Sequence, residues 1–144
     1  MDAYRISDKC LYSTKVMKSL LWVVVALLVI AACSGPTPEE LASLAAKGYY
    51  DHLIHGEYEE FLEGKSGVES LSDNYREQLL TTYRQFMAQQ NQTHHGVREV
   101  RISRATTDTL LHLTNVFLVL CYGDSVNEEI VVPMVAQAGR WRMR

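Results

Sequence analysis

Three kinds of hydrophobic pattern follow one another along the 144-residue chain. The first is an unbroken apolar run from Leu20 to Ala32, preceded by Lys15 and Lys18. From about residue 38 to residue 90, apolar residues recur every three or four positions, which is typical of amphipathic helices. After Gly96 they alternate with polar residues, which is typical of half-buried strands. The chain therefore divides into a leading apolar segment, a helical part and a strand part.

The helical part predicts about three helices. Thr37-Pro38-Glu39-Glu40 has the spacing of a capping box and begins a first helix that ends near Gly56. A short second helix is predicted over 57–63, and a third from a cap at Ser72 or Asp73 to about Gln90. The apolar stripe expected to bury the third helix consists of Tyr75, Leu79, Tyr83, Phe86 and Met87.

The strand part predicts about four strands. Val100 and Ile102 are the inward residues of the first, and residues 110–122 form a long second strand. The third covers 129–136, where Pro133 indicates an edge or a bulge. The last covers 140–144, with Trp141 and Met143 inward. Helices followed by an antiparallel meander predict an α+β domain with the helices on one face of the sheet.

The leading segment has the features of an export signal, because a short positive stretch precedes an apolar run and small residues. The run is shorter than the roughly 20 apolar residues that a membrane-spanning helix needs. Ile30-Ala31-Ala32-Cys33 resembles the lipobox of bacterial lipoproteins. Met17, just ahead of Lys18, is a plausible true start, so residues 1–16 are interpreted as a mis-assigned extension.

The lipobox resemblance implies the processing and the location of the chain. Residues 1–32 would be a signal peptide, Cys33 would carry a diacylglyceryl group and a further acyl chain such as palmitate, and 33–37 would be a short tether. Several acyl chains on one cysteine suffice for stable membrane attachment. Ser34 is not the aspartate that retains such proteins at the inner membrane of enteric bacteria. The resemblance therefore implies the outer membrane of the cell envelope, facing the periplasm.

Charge and cysteine content argue against a nucleic-acid-binding protein and against a protein stabilised by disulfides. The net charge is −3, and removing residues 1–32 makes it more negative because that segment holds more basic than acidic residues. A mildly acidic domain is a poor candidate for binding nucleic acid. Cys121 would be the one cysteine left beside the acylated Cys33, so no intrachain disulfide is expected.

The order of the elements resembles the nuclear transport factor 2-like (NTF2-like) superfold, a bent sheet that forms a cone closed by helices, and in particular its small bacterial lipoproteins. Three segments carry this resemblance: 38–40 after the lipobox cysteine, the helix junction from Tyr49 through Leu53 to Gly56-Glu57-Tyr58, and the closing 139–143, Gly-Arg-Trp-Arg-Met. It covers nearly all of 38–144, which is predicted to be one domain.

Enzymes of this superfold place an Asp or His base inside the cone. His112 is the one ionisable candidate in a long predicted strand, and the sequence offers no matched pair of oxyanion donors. An enzyme is therefore the less favoured interpretation, with His112 as its weak candidate base.

Metal and cofactor sites are not predicted. The pairs His52 with His55 and His94 with His95 lack further ligands at a suitable spacing. Cys121 lies in the most apolar strand, which predicts a buried, inert thiol. No glycine-rich phosphate-binding loop is present.

The many large aromatic residues suggest a binding role. Most are expected in the core, but a cone-shaped domain can keep an apolar cavity, and such cavities are the usual ligand sites. The residues predicted to supply aromatic walls and polar groups there are Tyr49, Tyr83, His112, Asn115 and Trp141.

The strand section 116–122 is apolar on both faces, which indicates either an interface or coverage by the chain itself. A homodimer that pairs sheet to sheet is one expectation. The leading hypothesis is a non-enzymatic envelope lipoprotein that binds a small apolar ligand or a partner protein. The alternatives are an isomerase- or cyclase-like enzyme that uses His112 and a structural envelope subunit without a ligand.

Overall fold

The computed structural model describes residues 35–144, and the lipobox and signal predictions lie outside them. Thr37–Arg144 form one compact unit with its own hydrophobic core, so we expect this domain to fold without the preceding residues. The elements are α1 (Pro38–Ile54), α2 (Tyr58–Glu63), a 3₁₀ turn (Val68–Ser70), α3 (Asp73–His94), β1 (Val97–Asp108), β2 (Leu113–Tyr122), β3 (Asn127–Gln137) and β4 (Arg140–Met143). The prediction of an α+β domain with three helices and four strands is confirmed.

The first helix begins where the capping box predicts. The Thr37 hydroxyl accepts from the Glu40 amide at 3.2 Å, and the Glu40 carboxylate accepts from the Thr37 amide at 2.8 Å. Two amides that a helix start leaves free are thereby satisfied. The buried residues of α1 include the small Ala42, Ser43 and Ala46, which let its backbone approach the sheet closely.

The four strands form an antiparallel meander in the order β1-β2-β3-β4. The inner face of the sheet packs on the helices and supplies most of the core, including Val100, Val116, Leu118, Leu120 and Met134. The register of β1 against β2 shifts twice, between Val97 and Glu99 and between Ile102 and Arg104. Such bulges increase the local bend and twist of a strand.

The sheet continues beyond β4 through the loop after α2. The Met143 amide donates to the Gly64 carbonyl and the Ser66 amide donates to the Met143 carbonyl, both at 2.8 Å. Lys65 thus lies beside Met143 as an isolated parallel bridge. This pairing ties the loop of α2 to the edge of the sheet.

Three element predictions need correction. The second strand begins at Leu113, because Asp108 caps the turn before it by accepting from the Leu110 and Leu111 amides. His112 therefore lies in an exposed turn with a φ of 49°, and its predicted place in a sheet strand was wrong. Helix α3 continues to His94, four residues past the predicted end at Gln90.

The buried stripe of α3 was predicted only in part. Met87 is buried as predicted, and Leu79 and Tyr83 are partly buried against the core. Leu80, which is buried, was not predicted, and Tyr75 and Phe86 are exposed. Ile102, predicted to face the core from β1, is exposed as well and stands next to the second register shift.

Candidate functional site

A cavity of about 530 Å³ lies between the helices and the inner face of the sheet. Helices α1 and α3 supply one wall, α2 and its loop another, and β2 with β3 the third. This volume is in the usual range for small-molecule pockets. The lining residues are Tyr50, Leu53, Phe61, Lys65, Thr82, Tyr83, Phe86, Gln90, Leu120, Glu128 and Ile130.

The cavity exists because α3 buries little of its length. Only Leu80 and Met87 of its 22 residues are buried, and the residues of α3 that line the cavity are Thr82, Tyr83, Phe86 and Gln90. Phe86 stays largely exposed although it is a large apolar residue that lines the cavity. The gap between α3 and β3 is the space that a ligand would fill.

Three aromatic rings form a continuous wall. Tyr50 packs edge-on against Phe61 with ring centroids 5.3 Å apart, and Phe61 packs edge-on against Tyr83 at 4.9 Å. Edge-to-face pairs at these separations are a favourable aromatic geometry. Burial raises the pKa of the Tyr50 and Tyr83 hydroxyls, so both are protonated donors at neutral pH.

The Tyr83 hydroxyl is the exceptional polar atom of this wall. Its oxygen is buried and has no hydrogen-bond partner within residues 35–144. Buried polar atoms normally have partners, because an unpaired one costs roughly 1–3 kcal/mol. A ligand acceptor in the cavity would satisfy this donor.

Two charged residues line the cavity. The Glu128 carboxylate accepts from the Tyr122 hydroxyl at 2.7 Å. Burial, together with this hydrogen bond, raises the pKa of Tyr122 to about 12. The Lys65 ammonium lies 5.5 Å from the centroid of the Phe61 ring, and partial burial lowers its pKa.

Of the residues predicted to bind a ligand, Tyr83 alone lines the cavity. Tyr49 and Trp141 do meet, since the Tyr49 hydroxyl donates to the Trp141 carbonyl at 2.8 Å, but this contact joins α1 to β4. Asn115 pairs with Thr106 and Pro133 on the other face of the sheet. His112 is in the β1–β2 turn.

The polar lining residues Lys65, Gln90 and Glu128 were not predicted from the sequence. Lys65 stands in a predicted loop between two glycines, and nothing in its neighbours signals an inward side chain. Glu128 and Gln90 look like ordinary polar residues at the ends of elements. The abundance of aromatic residues and the cone-shaped fold indicated a cavity, but of the residues predicted for its walls only Tyr83 lies there.

Neither metal ligation nor a membrane span is evident in the described part of the chain. Residues 35–144 bring together no group of three or more His, Cys, Asp or Glu side chains able to hold a metal ion. Within the same range, none of the helices has the length and apolar character that crossing a bilayer requires.

The outer sheet face, defined by Leu113, Asn115, Phe117, Val119 and Cys121 of β2, is a second surface of interest. The Arg104 guanidinium covers the Phe117 ring at 3.7 Å and donates to Glu129 at 2.9 Å. Arg101 donates to the Cys121 sulfur at 2.8 and 3.0 Å. Arginines from β1 thus cover part of the apolar surface that the sequence left unexplained.

Comparison with known proteins identifies the fold. No family model and no curated protein matches the sequence. A solved structure from Campylobacter jejuni, assigned as an NTF2-like transpeptidase, matches with a TM-score of 0.55 over 68% of this chain and 92% of that one. The domain has the NTF2-like fold. The two sequences are 15% identical, so the likeness concerns the fold alone.

Proposed function

We propose that this NTF2-like domain binds a small, largely apolar ligand in the cavity between α3 and β3. The single observation that carries the proposal is the combination of the 530 Å³ space with a buried, unpartnered Tyr83 hydroxyl. An apolar pocket with a few polar groups is the usual form of a ligand site. A merely structural domain would be expected to fill this space with side chains.

A non-enzymatic role is the better supported form of this proposal. The cavity is lined by one carboxylate, Glu128, which already accepts from Tyr122, and by no histidine or aspartate. His112, the candidate base, is exposed in a turn. An enzyme that removes a proton within the cone would need a base there.

The test is a native mass spectrum of residues 34–144 expressed in a bacterial host. Extra mass that is lost on denaturation is the expected result, and it would identify the ligand. The Tyr83→Phe variant removes the unpartnered hydroxyl and should lower the occupancy, whereas Tyr75→Phe, on the exposed side of α3, should not. A clean mass, with no binding of apolar probes, would contradict the proposal.

The second candidate is a partner-binding role through the outer sheet face, including a homodimer. The observation in its favour is that Val131 of β3 is 53% exposed beside the partly covered Phe117. A doubled mass in the same spectrum would support this candidate. A strictly monomeric spectrum at high protein concentration would count against the homodimer.

We further propose that the domain is attached to the bacterial cell envelope through acyl chains on Cys33, facing the periplasm. The support is the lipobox resemblance of 30–33 and the short distance along the chain from Cys33 to the start of α1. The Cys33→Ala variant should accumulate as an uncut, unacylated precursor, seen by labelled palmitate incorporation and by mass. Normal processing of this variant would contradict the proposal.

A further inference from the structure

The position of Lys65 is fixed at the edge of the sheet. Its two neighbours bond to Met143, through the Gly64 carbonyl and the Ser66 amide, each at 2.8 Å. The Lys65 backbone therefore cannot shift freely, while its side chain lines the cavity beside Phe61. Because its backbone is fixed, Lys65 presents its ammonium group to the cavity at a defined position, where a ligand can bind it.

Lys65 has no carboxylate partner in the described range. The chain from 35 to 144 contains two lysines, and the other, Lys47, pairs with Asp51 at 2.6 Å on the face of α1. No acidic oxygen of residues 35–144 lies within 4.0 Å of the Lys65 nitrogen, which instead faces the ring of Phe61. A half-buried cation without a counter-charge is one that an anionic group would stabilise.

Glu128, the other charged residue that lines the cavity, already has partners. Glu128 is exposed and accepts from the Tyr122 hydroxyl, so solvent and a hydrogen bond already satisfy it. On the same walls, the buried Tyr83 hydroxyl is a donor without an acceptor. The described residues thus leave one positive charge and one hydrogen-bond donor of the cavity walls without a partner, and a carboxylate is a group that pairs with both.

The rest of the lining is apolar. Leu53, Phe86, Leu120 and Ile130 offer hydrocarbon surface for a chain of methylene groups. We propose that the ligand is an anionic amphiphile, whose carboxylate is bound by Lys65 and Tyr83 and whose hydrocarbon tail lies against these side chains. This inference rests on the proposed function and deepens it, since it names the chemical class of the ligand and the residue that selects it.

The experiment uses isothermal titration of residues 34–144 with three probes of equal chain length below their micelle-forming concentrations: dodecanoate, dodecanol and dodecyltrimethylammonium. The expected result is that dodecanoate binds about tenfold more tightly than either other probe, because a charge-assisted hydrogen bond contributes at least this factor. Lys65→Met should weaken dodecanoate about tenfold and leave dodecanol unchanged. Lys65→Arg should retain the preference.

Lys47→Met is the matched control, because it removes the same charge from the surface without touching the cavity. Thermal unfolding of each variant verifies that it is folded. If Lys65→Met binds dodecanoate as tightly as the parent, or if the three probes bind equally, the inference is overturned and cavity binding itself stands. If none of the probes binds, the inference and the proposed function fail together.

Discussion

Gly64 lies directly beneath the ring of Tyr49, where a side chain has no room. A Cβ atom at this position would overlap three ring carbons of Tyr49. That ring is held in place because its hydroxyl donates to the Trp141 carbonyl at 2.8 Å. The φ of Gly64 is −70°, which any residue can adopt, so the requirement for glycine here is steric.

We therefore expect Gly64→Ala to destabilise the domain by roughly 1–3 kcal/mol, the usual cost of overpacking a close contact. Urea denaturation of residues 34–144 measures this change. The matched control is Gly48→Ala within α1, where an added Cβ meets nothing within 4 Å. Alanine is the better helix former, so this control should be stabilising by about 0.5–1 kcal/mol. Equal effects of the two substitutions would contradict the steric explanation.

At the scale of the elements, the end of α3 is fastened to the β2–β3 turn. The Asp124 amide donates to the His94 carbonyl at 3.2 Å, and the Gly123 amide donates to the Gly96 carbonyl at 2.9 Å. The side chains add a hydrogen bond between His94 Nδ1 and Asp124 Oδ2 at 2.8 Å. These contacts fix the C-terminal end of α3, the helix whose middle borders the cavity.

The hydrogen bond between His94 and Asp124 predicts an acid-sensitive contribution to stability. The hydrogen bond from His94 is the main reason that the pKa of Asp124 is lowered. A depressed folded-state pKa stabilises the domain above the unfolded value, about 3.9, and this contribution is lost as the pH falls through the folded-state pKa. Asp124→Asn keeps the acceptor for the Val126 amide but removes the charge.

Urea denaturation at pH 7 and at pH 3 tests this prediction. The parent should lose more stability between the two pH values than Asp124→Asn does, and the variant should be the less stable protein at pH 7. Glu60→Gln is the control, since Glu60 is exposed on α2 and forms no ion pair within the described residues. An identical pH response of parent and Asp124→Asn would contradict the assigned role of the pair.

The fold could be predicted from the sequence as far as its signals are local. Capping residues and hydrophobic period locate α1, α2 and the start of α3 well, because these signals are local. The stripe of α3 was predicted only in part: Met87 is buried, but Leu80 was not predicted, and Tyr75 and Phe86 are exposed although they have the spacing of a core stripe. Lys65 lines the cavity because it pairs with Met143 of β4, and no local sequence pattern predicts this pairing.

The start of α1 and the β1–β2 turn lie at the same end of the domain. The Thr107 hydroxyl donates to the Glu39 carboxylate, and this hydrogen bond joins the end of β1 to the first turn of α1. At the tip of this β-hairpin, Leu110 is 89% exposed and Leu111 is 62% exposed. Asp108 holds both residues in place by accepting from their amides at 2.9 and 3.0 Å.

If Cys33 is acylated as proposed, the exposed Leu110 and Leu111 lie close enough to the membrane to contact it. Thr37 is four positions after Cys33, and even a fully extended chain spans only about 14 Å over that distance. The end of the domain that carries Leu110 and Leu111 is then held near the bilayer surface. Burying two such side chains among lipid is favourable by about 1.5–3 kcal/mol each when complete. We expect the domain to stand on the membrane with this hairpin tip downward.

A polarity-sensitive dye on single cysteines of the acylated protein in vesicles measures this orientation. Leu110→Cys places the dye at the tip, and Ser125→Cys places it in the β2–β3 turn, at the other end of the ten-residue β2 and roughly 30 Å away. Cys121 is buried and should label poorly in both variants. Emission from position 110 should shift to the blue on vesicles, while emission from position 125 stays unchanged. Equal emission at the two positions would show that the hairpin tip does not face the lipid. A domain with its tip in the bilayer would give different emission at positions 110 and 125.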